Sequence, residues 1–185
     1  MLSPQKIMAL QAVRKEFQEI SANPILNIGA QVGLINKNNI MEWRCTMLGP
    51  KDTPFADGLF FLKIKFPDNY PNKAPEVSFL TPIYHINVNP KAPKLGQTES
   101  LGHVCISTLN WWKPTSNIRE VLTDIFALFY LSNPESPYGM ERAEEFRKNK
   151  NLYDEKCKYF TKKYAAMDLP ETTYTTDWDF TYPMK

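Results

Sequence analysis

Residues 41–80 read MEWRCTMLGPKDTPFADGLFFLKIKFPDNYPNKAPEVSFL. Two runs inside this stretch alternate with a period of two. In 41–48, Met41, Trp43, Cys45 and Met47 fall on one side, with Glu42, Arg44 and Thr46 on the other. In 58–66, Phe60, Leu62, Ile64 and Phe66 share a side. Successive side chains of a strand point to opposite faces, so each run is a strand with one buried face. Gly49-Pro50 ends the first of them. VSFL at 77–80 is a further short strand, and 26–35 reads as a weak one ahead of them. The links are tight enough for an antiparallel meander. Prolines gather between 50 and 93, which makes the connections there rigid and irregular.

Helical patterns lie on both sides of the strands. Ser3 is a good N-cap and Pro4 suits the first helical position. Ile7, Leu10, Val13, Phe17 and Ile20 then recur at helical spacing until Pro24. After the strands, residues 81–116 show little periodicity, and a loop that long inside one domain is usually functional. Asn117 and Glu120 form a capping box for a helix carrying Ile118, Val121, Leu122, Ile125, Leu128 and Phe129, apolar enough to be central. Ser136-Pro137 predicts another helix start, and a last helix aligns Tyr153, Cys157, Phe160 and Tyr164 in one stripe. The class is α+β: a four-stranded antiparallel sheet flanked by an N-terminal helix and three C-terminal helices.

Composition narrows the function. At 185 residues and 43% hydrophobic the chain holds one real core, with residues 1–166 as the domain and 167–185 as an aromatic-rich extension. A net charge of +2, from 22 basic and 20 acidic residues, provides no nucleic-acid footprint. No run approaches the apolar length of a membrane span, and the N-terminus does not read as a signal peptide. Three cysteines without a secretory signal point to free thiols in a reducing compartment, cytoplasmic or nuclear.

The cysteines sort by their surroundings. Cys45 shares the Trp43 face of a strand and Cys157 the stripe of a helix, so both read as core. Cys105 lies in the unpatterned loop, in GHVCISTLNWWKP at 102–114, and is the reachable one. Zinc would need about four ligands at characteristic spacing, and only His85, His103 and scattered cysteines are on offer. A hydrolase would need a histidine base, and His103 lies only two residues from the thiol. An acyl-carrying thiol needs less: an accessible thiolate, a donor for the oxyanion and a groove. On residue statistics alone, a half-buried loop thiol without a role stays ahead of all three.

The words around Cys105 change this. GPKDTP, FPDNYPNKAP, YHIN, the cysteine, WKP and NPESP, in this order over about residues 6–166, resemble a ubiquitin-conjugating enzyme. The resemblance implies that Cys105 accepts ubiquitin, or a ubiquitin-like modifier, from an activating enzyme as a thioester and passes it to a lysine amine. It implies that Asn87 serves the oxyanion or the loop, that His85 braces the loop through backbone hydrogen bonds, and that Ser136 stands at the mouth where the lysine enters. It implies docking of the activating enzyme and of RING-type or other ligases at Pro71, Asn72, Trp112 and Pro114, alongside a protein substrate. ATP is consumed by the activating enzyme, so no cofactor and no metal is expected. The alternatives are a catalytically silent binding module of the same fold and, further off, a cysteine hydrolase.

The chemistry suits these residues. Thiol exchange is near thermoneutral, so loading asks for no strongly activated thiol. In discharge a carbonyl oxygen gains charge, and losing one amide donor there typically costs ~10²–10³ in rate. Holding the modifier's tail and the lysine in attack geometry supplies much of the rest, and Ser136 or Glu135 orients the amine. His103 reads either as a group that modestly favours the Cys105 thiolate or, the preferred reading, as a solvated loop histidine.

Four features depart from the family pattern. Ile86 stands where proline is usual, which puts the placement of Asn87 in question. Roughly ten residues, around KAPKLGQTES at 91–100, are inserted before Cys105, read either as a tolerated loop or as a docking element. Asn72 occupies a position that is often bulky and apolar. In the tail, Tyr174, Trp178, Phe180 and Tyr182 fall on even positions, an extended segment with an aromatic face, expected to fold back on the domain rather than to bind a partner. The Tyr70-Pro71 step is compatible with cis, but trans is the default.

Overall fold

The chain opens with helix α1, Pro4–Ala22, where the Ser3 hydroxyl accepts the Lys6 N–H at 3.2 Å. Its buried face is Ala9, Val13 and Ile20, while Ile7, expected inside, is exposed. The computed structural model describes residues 2–91, 101–168 and 178–183.

Residues 26–35 are not one strand. Leu26–Ile28 is a 3-10 turn closed by Gly29, whose φ of 59° turns the chain before β1, Gln31–Asn36, can begin. Then follow β2, Asn39–Leu48, β3, Leu59–Lys65, and β4, Glu76–Phe79. They pair antiparallel in the order β1-β2-β3-β4, the meander expected. The register sets Trp43 opposite Ile64, Cys45 opposite Leu62 and Met47 opposite Phe60, then Leu62 opposite Phe79 and Ile64 opposite Val77. All the apolar members of the alternation therefore lie on one face, against α1 and the later helices, each contributing roughly 1.5–3 kcal/mol by leaving water. Phe17 of α1 meets the Trp43 ring at 5.1 Å.

Beyond the sheet lie the single turn α2, Ser107–Asn110, the central helix α3, Ile118–Leu128, then α4, Met140–Lys148, and α5, Lys150–Tyr164. The Asn117 side chain caps α3 by accepting the Glu120 N–H at 3.0 Å. Ile118, Val121, Leu122 and Ile125 are buried, and Phe129 just beyond the helix packs within 5.2 Å of both Phe55 and Phe60. Helix α4 starts at Met140, later than the Ser136-Pro137 signal predicts. The Ser136 hydroxyl points to Cys105 instead of capping, and the Tyr138 N–H is taken by the Ile86 carbonyl at 2.7 Å.

Within the unpatterned stretch, residues 81–88 are buried as thoroughly as the strands. Irregular backbone can cross an interior only if its polar groups find partners, and here side chains and other backbone groups together supply them. The tail residues Trp178, Phe180 and Tyr182 lie against the domain, Phe180 edge-on to Phe160 of α5 at 4.9 Å and Tyr182 edge-on to Tyr159 at 5.3 Å. Tyr174 and inserted residues 92–100 lie outside the described residues. The Tyr70-Pro71 bond is cis, against the trans default. No helix among the described residues is long and apolar enough to cross a membrane.

Candidate active site

Two short crossings bring Cys105 and Asn87 side by side. The Cys105 N–H donates to the Asn87 carbonyl at 3.0 Å, and isolated bridges pair Val88 with Val104 and Ser78 with His103. Gly102 makes the approach feasible. It sits at φ 77°, and a Cβ there would lie 2.1 Å from the Phe79 carbonyl oxygen. The ends of the inserted run are tied together, since Gly102 N–H donates to Asn89 O at 2.8 Å and Asn89 N–H to His103 O at 2.9 Å. An insertion between pinned ends leaves the Cys105 segment in place.

The thiols separate as the sequence suggests. Cys45 and Cys157 are buried, and Cys105 is half-buried. Burial pushes the Cys45 thiol up to about 12 and the Cys157 thiol higher still. Around Cys105 Sγ stand the Ser136 Oγ at 3.2 Å and the Asn110 Nδ2, which donates at 3.3 Å. Glu135 instead turns outward to Arg147 at 3.5 Å.

His85 is 1% exposed. Its Nδ1 accepts the Asn87 N–H at 3.0 Å, and its Nε2 lies 3.0 Å from the Leu128 carbonyl, to which it donates. Burial lowers its pKa to about 4, so it is neutral and fully engaged. That is the geometry of a brace and not of a base.

Asn87 is 0% exposed, and its side-chain amide is engaged by the backbone of the loop that carries Ser136. Its Nδ2 donates to the Asn133 carbonyl at 2.7 Å and the Ser136 carbonyl at 2.9 Å, and its Oδ1 accepts the Asn133 N–H at 2.8 Å. An amide carries two protons, and both are spent on the 133–136 loop. Of the two roles expected for Asn87, the geometry serves the loop. Ile86 does not disturb it. The Ile86 N–H, which a proline would lack, donates to the Tyr153 hydroxyl at 3.1 Å.

The four expected docking residues come together. The Trp112 Nε1 donates to the Pro71 carbonyl at 2.7 Å, Asn72 and Pro114 are exposed on either side, and Trp111 is 81% exposed beside them. Pro90 and Lys91, where the insertion begins, line a groove of about 520 Å3 with Tyr138, Met140, Arg142 and Phe180. Among the described residues no three His, Cys, Asp or Glu side chains cluster as metal ligands.

Sequence reasoning missed three contributors. Asn110 follows Cys105 by five residues on a helix of one turn, too short to show a period. Arg142 spans Tyr84 and Phe180, at 4.3 and 4.5 Å from their rings, and reaches the His85 carbonyl at 3.4 Å. Tyr153 shows in the sequence only as part of an apolar stripe, although a phenol in such a stripe signals a buried partner. Compared with known proteins, residues 12–161 match a family model described as ubiquitin-conjugating enzyme.

Proposed function

Because this chain belongs to the ubiquitin-conjugating enzyme family, we propose that it is an active member that carries ubiquitin or a ubiquitin-like modifier as a Cys105 thioester. The observation that supports this is the half-buried sulfur with a hydroxyl and an amide in hydrogen-bond reach, while the other two thiols are sealed.

In loading, the Cys105 thiolate attacks the carbonyl carbon of the activating enzyme's thioester. A new C–S bond forms and the donor thiolate leaves. In discharge, a neutral lysine amine attacks the Cys105 thioester, an oxyanion forms and collapses, and the C–S electron pair returns to the sulfur. The ammonium proton is lost to solvent. Ser136, whose hydroxyl lies 3.2 Å from Sγ, orients the amine. His85 and Asn87 keep the walls of the site fixed, so the reacting groups meet without reorganisation. Pro71, Asn72, Trp112 and Pro114 supply the surface for the activating enzyme and a ligase.

The second reading is a silent binding module of the same fold. It draws on one observation, the Asn87 amide fully occupied by the Asn133 and Ser136 carbonyls. Incubation with activating enzyme, ATP and ubiquitin separates the two. An active enzyme gives a thiol-sensitive adduct that Cys105→Ala abolishes, and a silent module gives none with ubiquitin or with other modifiers.

A further inference from the structure

We propose that Asn110 is a catalytic residue of this site, its side-chain amide donating to the carbonyl oxygen of the Cys105 thioester as that oxygen takes on charge. The inference rests on the thioester reading above. In the free thiol, Asn110 Nδ2 donates to Cys105 Sγ at 3.3 Å. Once Sγ is acylated, the carbonyl oxygen lies two bonds from the sulfur, within the sweep of the same amide.

Asn87 leaves the position open. Both of its amide protons are held by the Asn133 and Ser136 carbonyls, inside the protein. Releasing one would break a hydrogen bond that holds the 133–136 loop, and with it Ser136. The Cys105 N–H is likewise committed, to the Asn87 carbonyl. Among the described residues, Asn110 is the side-chain amide that meets the sulfur.

Its backbone is held for the task. The Asn110 N–H donates to Ile106 O at 3.1 Å and Trp111 N–H to Ser107 O at 2.9 Å, while the Thr108 hydroxyl bonds the Asp124 carboxylate of α3. With the backbone held, only the side chain has to turn from the sulfur to the oxygen, and its hydrogen bond gains strength as charge develops.

In discharge, the lysine nitrogen bonds to the carbonyl carbon and the π pair moves to oxygen, where the Asn110 N–H meets it. The pair returns, the C–S bond breaks, the thiolate leaves and the amine proton passes to solvent. Atoms and charge balance without a further reactant.

The test is single-turnover discharge of isolated, ubiquitin-loaded enzyme to free lysine. Asn110→Ala and the isosteric Asn110→Asp, which lacks the donor, are each expected to slow the rate constant at saturating lysine at least about tenfold. The lysine concentration for half-maximal rate should change little, and the melting temperature should stay at the wild-type value because Asn110 is exposed. Loaded variants that discharge at the wild-type rate would overturn the role of Asn110 alone. Failure of the wild-type chain to load would instead overturn the thioester reading on which it rests. A loss confined to lysine affinity would overturn the catalytic role of Asn110, reducing it to a binding contact.

Discussion

The Ile86 N–H donates to the Tyr153 hydroxyl at 3.1 Å, joining the crossing before the thiol to the first turn of α5. Both groups are buried, so Tyr153→Phe orphans a donor. The expected cost is about 1–3 kcal/mol of stability, measured by denaturant unfolding. Adding Ile86→Pro removes the orphaned N–H and should recover part of that loss. Additive losses in the double variant would show that the bond does not couple the two sites.

His85 should make the protein acid-sensitive. Its folded pKa is about 4, against 6.5 when free. Between these values the unfolded chain binds a proton that the folded chain refuses. Stability from this group is therefore complete above pH 6.5 and is lost as pH falls towards 4, an amount on the order of 3 kcal/mol. Unfolding free energies across that window should slope for the wild type and flatten for His85→Asn, which starts less stable at pH 7. Parallel slopes would contradict the assignment.

Gly102→Ala should damage both fold and site. The new Cβ would meet the Phe79 carbonyl oxygen at 2.1 Å, at a φ of 77° that disfavours any side chain. Phe79 N–H donates to Gly102 O at 2.8 Å, so relieving the clash shifts the segment that leads into Cys105. We expect a loss of more than ~1 kcal/mol and a matching fall in adduct formation. A normal melt with a normal adduct would contradict it.

The tail should contribute to stability. Phe180 packs on Phe160 at 4.9 Å and on Tyr84 at 5.5 Å, and covers Arg142 at 4.5 Å. Because the ring is half-buried, Phe180→Ala should cost about 2 kcal/mol, less than a core truncation, or roughly 4–8 °C in melting temperature for a domain of this size. Deleting 168–185 should cost at least as much. An unchanged melt combined with loss of a partner would make the tail a binding peptide instead.

How far the sequence could be read follows from the range of the forces involved. Strands β2 and β3 and the stripe of α3 were legible because one buried face imposes a period on neighbouring residues. The crossing at 81–88 was not, because its partners come from Leu128, Asn133, Tyr138 and Tyr153, far along the chain. No local pattern records such pairings. Position 136 misled for a related reason: a serine before proline reads as a cap, yet its hydroxyl is used at the thiol. Cys105 itself was legible by exclusion, as the thiol on no apolar face. The direction of the Asn87 amide was not, since it depends on two carbonyls more than forty residues away.

The most direct measurement is the intact mass of the chain after incubation with activating enzyme, ATP and ubiquitin, followed by mapping of the attachment point. The account predicts one added modifier, bound through Cys105, released by thiol reductant and turned into a reductant-resistant oxyester in Cys105→Ser. An unmodified chain, or a modifier mapped to Cys45, Cys157 or a lysine in place of Cys105, would contradict it.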